Sequence, residues 1–150
     1  MKKLLLIIII SFASITYSIG QSIGTTVGFS IYEKYNRYYT GVSICGEIAN
    51  ITLEITNAHH RFNEHISGST QISSYLIGYN QYIKCSDLIS IIINPKIGTC
   101  TASALAESVY KKKNKFEFGL DTGVKVGNAV IKFGMTNRKF NMLVGFVTTF

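Results

Sequence analysis

Residues 116–150 read FEFGLDTGVKVGNAVIKFGMTNRKFNMLVGFVTTF. In 116–126 Phe116, Phe118, Leu120, Val124 and Val126 share one face, broken only by Thr122, while Glu117, Gly119, Asp121, Gly123 and Lys125 share the other. A period of two is the signature of a strand whose faces meet different surroundings. Residues 129–138 repeat it, with Ile131, Phe133 and Met135 against Lys132, Gly134, Thr136 and Arg138. In 142–150 the set is Met142, Val144, Phe146 and Phe150 against Leu143, Gly145, Val147 and Thr149. Gly127-Asn128 between the first two segments suits a two-residue hairpin turn.

Working outward, the same pattern predicts five more strands. Val27, Phe29 and Ile31 oppose Gly28 and Ser30 in 25–33; Val42, Ile44 and Ile48 oppose Ser43, Cys45 and Glu47 in 39–48. Ile51, Leu53 and Ile55 oppose Thr52, Glu54 and Thr56 in 51–60. Tyr75, Ile77 and Tyr79 oppose Ser74, Gly78 and Asn80 in 72–83, and Ile89, Ile91 and Ile93 oppose Ser90, Asn94 and Lys96 in 88–97. Pro95 counts against the last of these, because proline brings no donor to a ladder. Eight strands result, and helical periodicity is nearly absent.

The links alternate. Those at 49–50, 84–87 and 127–128 are tight, whereas those at 34–38, 61–71 and 98–115 are longer, as expected of short periplasmic turns and longer outside loops. The link at 139–141 is short for its place. Within 98–115, the stretch from Ala104 to Tyr110 has a helix-friendly composition and precedes Lys111, Lys112 and Lys113. It suggests a short helix or turn on the longest outside loop, where ligand or host contact would reside.

The first twenty residues combine Lys2 and Lys3, an unbroken apolar run from Leu4 to Ile10, and small residues up to Gly20. This is the plan of an export signal cleaved after Gly20. Residues 21–150 then form one domain, and an even strand count leaves both of its ends on the periplasmic side. Losing Lys2 and Lys3 lowers the formal charge of +7 to about +5. Such a charge on an exported chain points to anionic lipid or surface polysaccharide rather than nucleic acid. Cys45, Cys85 and Cys100 have no metal-site spacing and form at most one disulfide.

The polar face carries Glu47, Glu54, Glu117, Asp121, Lys125, Lys132 and Arg138, a nearly balanced set. Glycines recur beside them at 28, 119, 123, 134 and 145, where a small closed barrel needs room for long neighbours. The opposite face is nearly unbroken and partly aromatic, as a lipid-facing band requires. Tyr32, Tyr35, Tyr75, Tyr79, Phe116 and Phe140 are candidates for interfacial girdles. These features predict an all-β fold, an eight-stranded antiparallel up-and-down transmembrane β-barrel with the charges paired inside.

On this pattern, and on the ending Met142-Leu-Val-Gly-Phe146-Val-Thr-Thr-Phe150, the chain resembles the small eight-stranded outer-membrane β-barrel family, porin-like or OmpX-like, over 25–150. The resemblance implies residence in the outer membrane, with its lipids as surroundings. It also implies that Phe146 and Phe150 are the aromatics read by the barrel-assembly machinery. An eight-stranded barrel has room inside only for side chains, so a plugged interior and a structural or surface-interaction role through the outside loops are expected, with no cofactor and no enzymatic activity.

Two rivals remain open at this point. A soluble lipocalin-like barrel binding a small apolar ligand would turn Val27, Phe29, Ile131 and Phe133 inward. A membrane-lipid hydrolase would use His65, Ser67 and the neighbouring Glu64, since a histidine must take the serine proton and a carboxylate must orient it. That trio falls in a polar loop, whereas the deacylases it resembles carry theirs on a late strand. His59, His60 and His65 could also suggest a metal, but adjacent strand residues point to opposite faces.

Overall fold

The computed structural model describes residues 22–34, 37–62, 68–106 and 109–149. Nine strands run in chain order: β1 Ser22–Lys34, β2 Arg37–Ile48, β3 Ile51–Phe62, β4 Gly68–Tyr79, β5 Gln81–Lys84, β6 Ile89–Ala106, β7 Val109–Val126, β8 Ala129–Thr136 and β9 Lys139–Thr149. Each is antiparallel to its neighbours, β1 pairs with β9, and β4 pairs with β6, so the sheet closes on itself. β4 and β5 are consecutive parts of one stave, which makes eight staves in all. The antiparallel barrel read from the sequence is the fold.

Pro95 explains why one stave is split. It lies within β6, and the interruption at Asn80 sits across from it, between the pairs Gly78↔Lys96 and Gln81↔Ile93. With no N–H to give, Pro95 cannot complete the ladder there. The register is unchanged across the gap, so the strand resumes in phase. Proline therefore interrupts its neighbour's ladder without ending its own strand.

The pairings also fix the barrel's stagger. Followed from Val27 through β2, β3, β4 and β6, the row of outward residues passes Ile44, Ile55, Tyr75 and Thr99 and arrives on β7 at Phe116; followed through β9 and β8 it passes Val144 and Ile131 and arrives at Val124, eight residues away. A shear equal to the strand number gives a steeply tilted, narrow cylinder whose interior side chains can fill.

Turn chemistry closes the end of the barrel that carries the tight turns. Ala49 and Asn50 both have positive φ, at 50° and 66°, while Gly127 has φ 58° ahead of Asn128. Hairpins of two residues need these left-handed conformations to match strand twist.

The outside connections depart from expectation. The segment 98–115 was expected to be a loop with helical character, but β6 runs on to Ala106 and β7 begins at Val109, paired from Gly98↔Glu117 to Ala106↔Val109. β3 and β4 likewise pair as far as Phe62↔Gly68, and β1 and β2 as far as Lys34↔Arg37. Strand hairpins thus replace most of the expected loop length. Lys139, expected in a loop, opens β9.

Candidate functional site

The faces sort as a lipid-embedded barrel demands. Val27 and Phe29 are each 48% exposed, and Ile131 and Phe133 each 47%, so the inversion required by an internal apolar ligand does not occur. Tyr75, Phe116 and Phe140 also point outward. Tyr32 does not: it is 2% exposed and faces the interior, which removes it from any interfacial girdle. Tyr35 lies outside the described residues. Phe146 is outward at 71% exposure, and Phe150 is outside the described residues.

Inside, four carboxylates (Glu47, Glu54, Glu117, Asp121) and four ammonium groups (Lys96, Lys125, Lys132, Lys139) are buried together. Glu54 is the hub. It meets Lys96 Nζ at 2.7 Å and Lys139 Nζ at 2.5 Å, and it accepts from Asn141 Nδ2 at 3.3 Å and Thr56 Oγ1 at 3.2 Å. Lys96 also forms an ion pair with Asp121 at 2.5 Å. Lys132 donates to Cys45 Sγ at 3.9 Å. Burial of charge is tolerable only with such pairing, because each ion loses its hydration.

The rest of the set lies nearer the ends. Glu117 accepts from Ser74 and from Thr136 Oγ1, the latter at 2.7 Å. At the tight-turn end Glu47 accepts from Tyr82 OH at 2.6 Å, from Asn80 Nδ2 at 2.5 Å and from Ser22 Oγ at 2.5 Å, and Lys125 donates to Thr149 at 3.1 Å. Apolar layers bracket the network. Ile92, Val130 and Val147, with Tyr82, lie below it; Tyr32, Tyr39, Ala58, Ile72 and Cys100 lie above.

Room for this packing comes from missing side chains. A Cβ at Gly134 would collide with the Asp121 carboxylate and the Asn141 amide. Sequence reading missed two members of the set. Lys96 was placed on the polar face of its strand but left out of the interior charge set; Lys139 was hidden by the apparent loop. Arg138 lies in the turn that follows β8, half-buried, with its Nε shut off from solvent.

The second site is the sheet β3-β4-β6-β7, which rises above the rest. β8 ends at Thr136, opposite Gly119, so β7 beyond that point has only β6 beside it among the described residues. Asn137 closes the nearest part of the free edge: its N–H donates to the Phe118 carbonyl at 3.0 Å, and its Oδ1 accepts from Phe118 N–H at 3.2 Å. Higher up, Lys111, Lys112, Lys113 and Lys115 are exposed along that edge. Lysine is a residue that keeps an open edge soluble and discourages unwanted pairing.

The outer face of this sheet turns polar just above Tyr75 and Phe116. The next rows hold Asn57, Ser73, Thr101 and Asn114, then His59, Gln71, Ser103 and Lys112. Gln71 donates to Asn57 at 3.3 Å and Thr101 to Asn114 at 2.9 Å. His59 is on this face, whereas Glu64, His65 and Ser67 lie outside the described residues, as does the His60 side chain. Cys45 and Cys100 are buried free thiols, and Cys85 is a free thiol exposed in the turn between β5 and β6. In that turn the Lys84 ammonium, 2.8 Å from Asp87, holds the Asp87 carboxyl below its usual range.

No protein-family model and no curated protein matches the chain. Solved structures do. Neisserial surface protein A aligns with a TM-score of 0.52 at 10% identity, covering 87% of this chain and 97% of its own. Ail of Yersinia pestis in a phospholipid bilayer nanodisc aligns at 0.52 and 14% identity, covering 86% and 99%. The crystal structure of Ail, the attachment invasion locus protein, in complex with the heparin analogue sucrose octasulfate aligns at 0.51 and 13% identity, covering 87% and 97%. With charges inside, an apolar band outside and this closure, the chain has the fold of the small eight-stranded outer-membrane β-barrels.

Proposed function

We propose that the protein is an integral outer-membrane barrel, closed to solutes, that offers the upstanding β3-β4-β6-β7 sheet as a docking surface for an anionic partner outside the cell. The single observation that carries the docking role is the free β7 edge with Lys111, Lys112, Lys113 and Lys115. Four ammonium groups on one projecting strand make a local positive field that attracts polyanions and steers their approach. A sulfated sugar is the ligand in the Ail complex, and sulfated or phosphorylated polysaccharide is the chemistry this edge fits.

Closure to solutes is supported by the paired charges between two apolar layers. The same reading takes residues 1–20 as a cleaved export signal and Phe146 with Phe150 as the aromatics read by the assembly machinery. No enzymatic activity is part of it.

The test is binding of outer-membrane vesicles carrying the protein to immobilised heparin. Replacement of the four lysines by glutamine is expected to abolish retention, and retention by the unaltered protein is expected to weaken as salt rises, because exposed charges are screened beyond about 8 Å at physiological ionic strength. Equal retention of both forms would remove the lysine edge from the function. Discrete conductance steps in a planar bilayer would remove closure.

A further inference from the structure

Asn137 shows what the open edge of β7 can bind. Its N–H donates to the Phe118 carbonyl at 3.0 Å, its Oδ1 accepts from the Phe118 N–H at 3.2 Å, and its Nδ2 donates to the Phe116 carbonyl at 3.4 Å. The main-chain groups of Phe118 and Phe116 therefore point away from β6. Successive residues of a strand aim these groups to opposite sides, so Asn114 and Lys112 share that direction, while Lys111, Lys113 and Lys115 turn theirs toward β6.

Above Asn137 no strand lies beside this edge among the described residues, and 111–116 are all exposed. The N–H groups of Phe116, Asn114 and Lys112 and the carbonyls of Asn114 and Lys112 thus have no strand partner. The side chains alternate too: Lys111, Lys113 and Lys115 stand on one side of the edge and Lys112 on the other. A two-residue repeat is about 6.8 Å long, and each repeat offers a donor, an acceptor and an ammonium group.

We propose that this edge binds a sulfated or phosphorylated polysaccharide lengthwise through its main chain. Anionic groups accept from the Phe116, Asn114 and Lys112 N–H groups, and sugar hydroxyls donate to the Asn114 and Lys112 carbonyls. This rests on the reading of the lysine edge as a docking surface for an anionic partner. The edge of a sheet can form an anion site, and hydrogen bonds to a charged acceptor are stronger than those between neutral groups. The carbonyls select among polyanions: bare polyphosphate brings only acceptors and sets its charge against them, whereas a sugar also brings donors. Asn137 supplies both kinds of group to the adjoining positions. An added strand would meet the same main-chain groups, but lysines along an edge oppose strand pairing, and their charge fits an anion.

The test is heparin binding to the full barrel in lipid nanodiscs, with Asn114→Pro read against Asn114→Ala. Proline is tolerated on an edge whose N–H faces outward, so it removes one edge donor and leaves every lysine in place. Alanine controls for the lost side chain, which pairs with Thr101. Asn114→Pro is expected to weaken heparin binding about tenfold relative to Asn114→Ala, the scale of one hydrogen bond to a charged group. In the unaltered protein, heparin is expected to displace inorganic polyphosphate of equal charge. Equal affinity of the proline and alanine variants overturns the proposal; if the four-lysine variant has lost retention, the docking surface stands and acts through charge alone. Equal competition by polyphosphate overturns the part given to sugar hydroxyls. Heat-dependent gel migration identifies a variant that failed to insert, and Lys112→Pro against Lys112→Gln then repeats the comparison at the next edge donor.

Discussion

The two halves of the β6–β7 hairpin are built alike and live differently. Toward the tight-turn end, Ile89, Ile91 and Ile97 point out while Ile92, Asn94 and Lys96 are buried. Beyond Cys100 the division fades: 101–104 are all half-buried, and 111–116 on β7 are all exposed. Both halves keep the same ladder, from Ile89↔Val126 to Ala106↔Val109. Lipid outside and packed charge inside impose alternation on the lower half. The upper half, polar on its outer face and without an interior charge layer, shows no such alternation.

That contrast explains what was legible. Alternation marks a difference between faces rather than a strand as such, so 116–126 and 129–136 could be read directly, whereas 98–115 looked like a loop. Small hydroxylic residues and lysines, with no apolar partner row, carry no two-fold signal even when fully paired. The same cause hid Lys139, which opens β9 just after a polar turn. Of the interior set, Glu47, Glu54, Glu117, Asp121, Lys125 and Lys132 are all buried in the barrel because each sits in phase with a strong apolar face. The pairing among them was not legible, since it depends on the stagger that brings Lys96 and Lys139 to Glu54 from other staves.

Breaking the lower half should cost most. Glu54→Ala strips Lys96 and Lys139 of their shared counter-charge, and removing one member of a buried pair costs about 3–5 kcal/mol. Urea unfolding of the refolded barrel in lipid vesicles should show that loss. Phe133→Lys puts a charge near the middle of the outer band and should cost about 2–4 kcal/mol by the same assay. Gly134→Ala drives a methyl into Asp121 and Asn141 and should cost about 1–3 kcal/mol, the usual penalty of overpacking.

The upper half should answer differently. Thr101→Lys, on the outer face above the band, should change stability by no more than about 0.5 kcal/mol. A loss as large as that of Phe133→Lys would mean that lipid reaches higher than the polar rows suggest. The smallest effect belongs to Asp87. Its carboxyl is held low by Lys84, so the contact helps folding above the unfolded carboxylate's pKa and is lost as pH falls through the lower, folded value. Because the pair is fully in solvent, Asp87→Asn should leave the urea midpoint unchanged at neutral pH.

The central claim is that the apolar face meets lipid and the charged face is sealed inside. Gel migration of boiled and unboiled protein, extracted in detergent from fractionated membranes, tests it most directly. The account predicts recovery in the outer-membrane fraction and a heat-dependent shift, since a closed barrel resists unfolding by detergent until heated. Recovery as a soluble periplasmic species with a single mobility would contradict it.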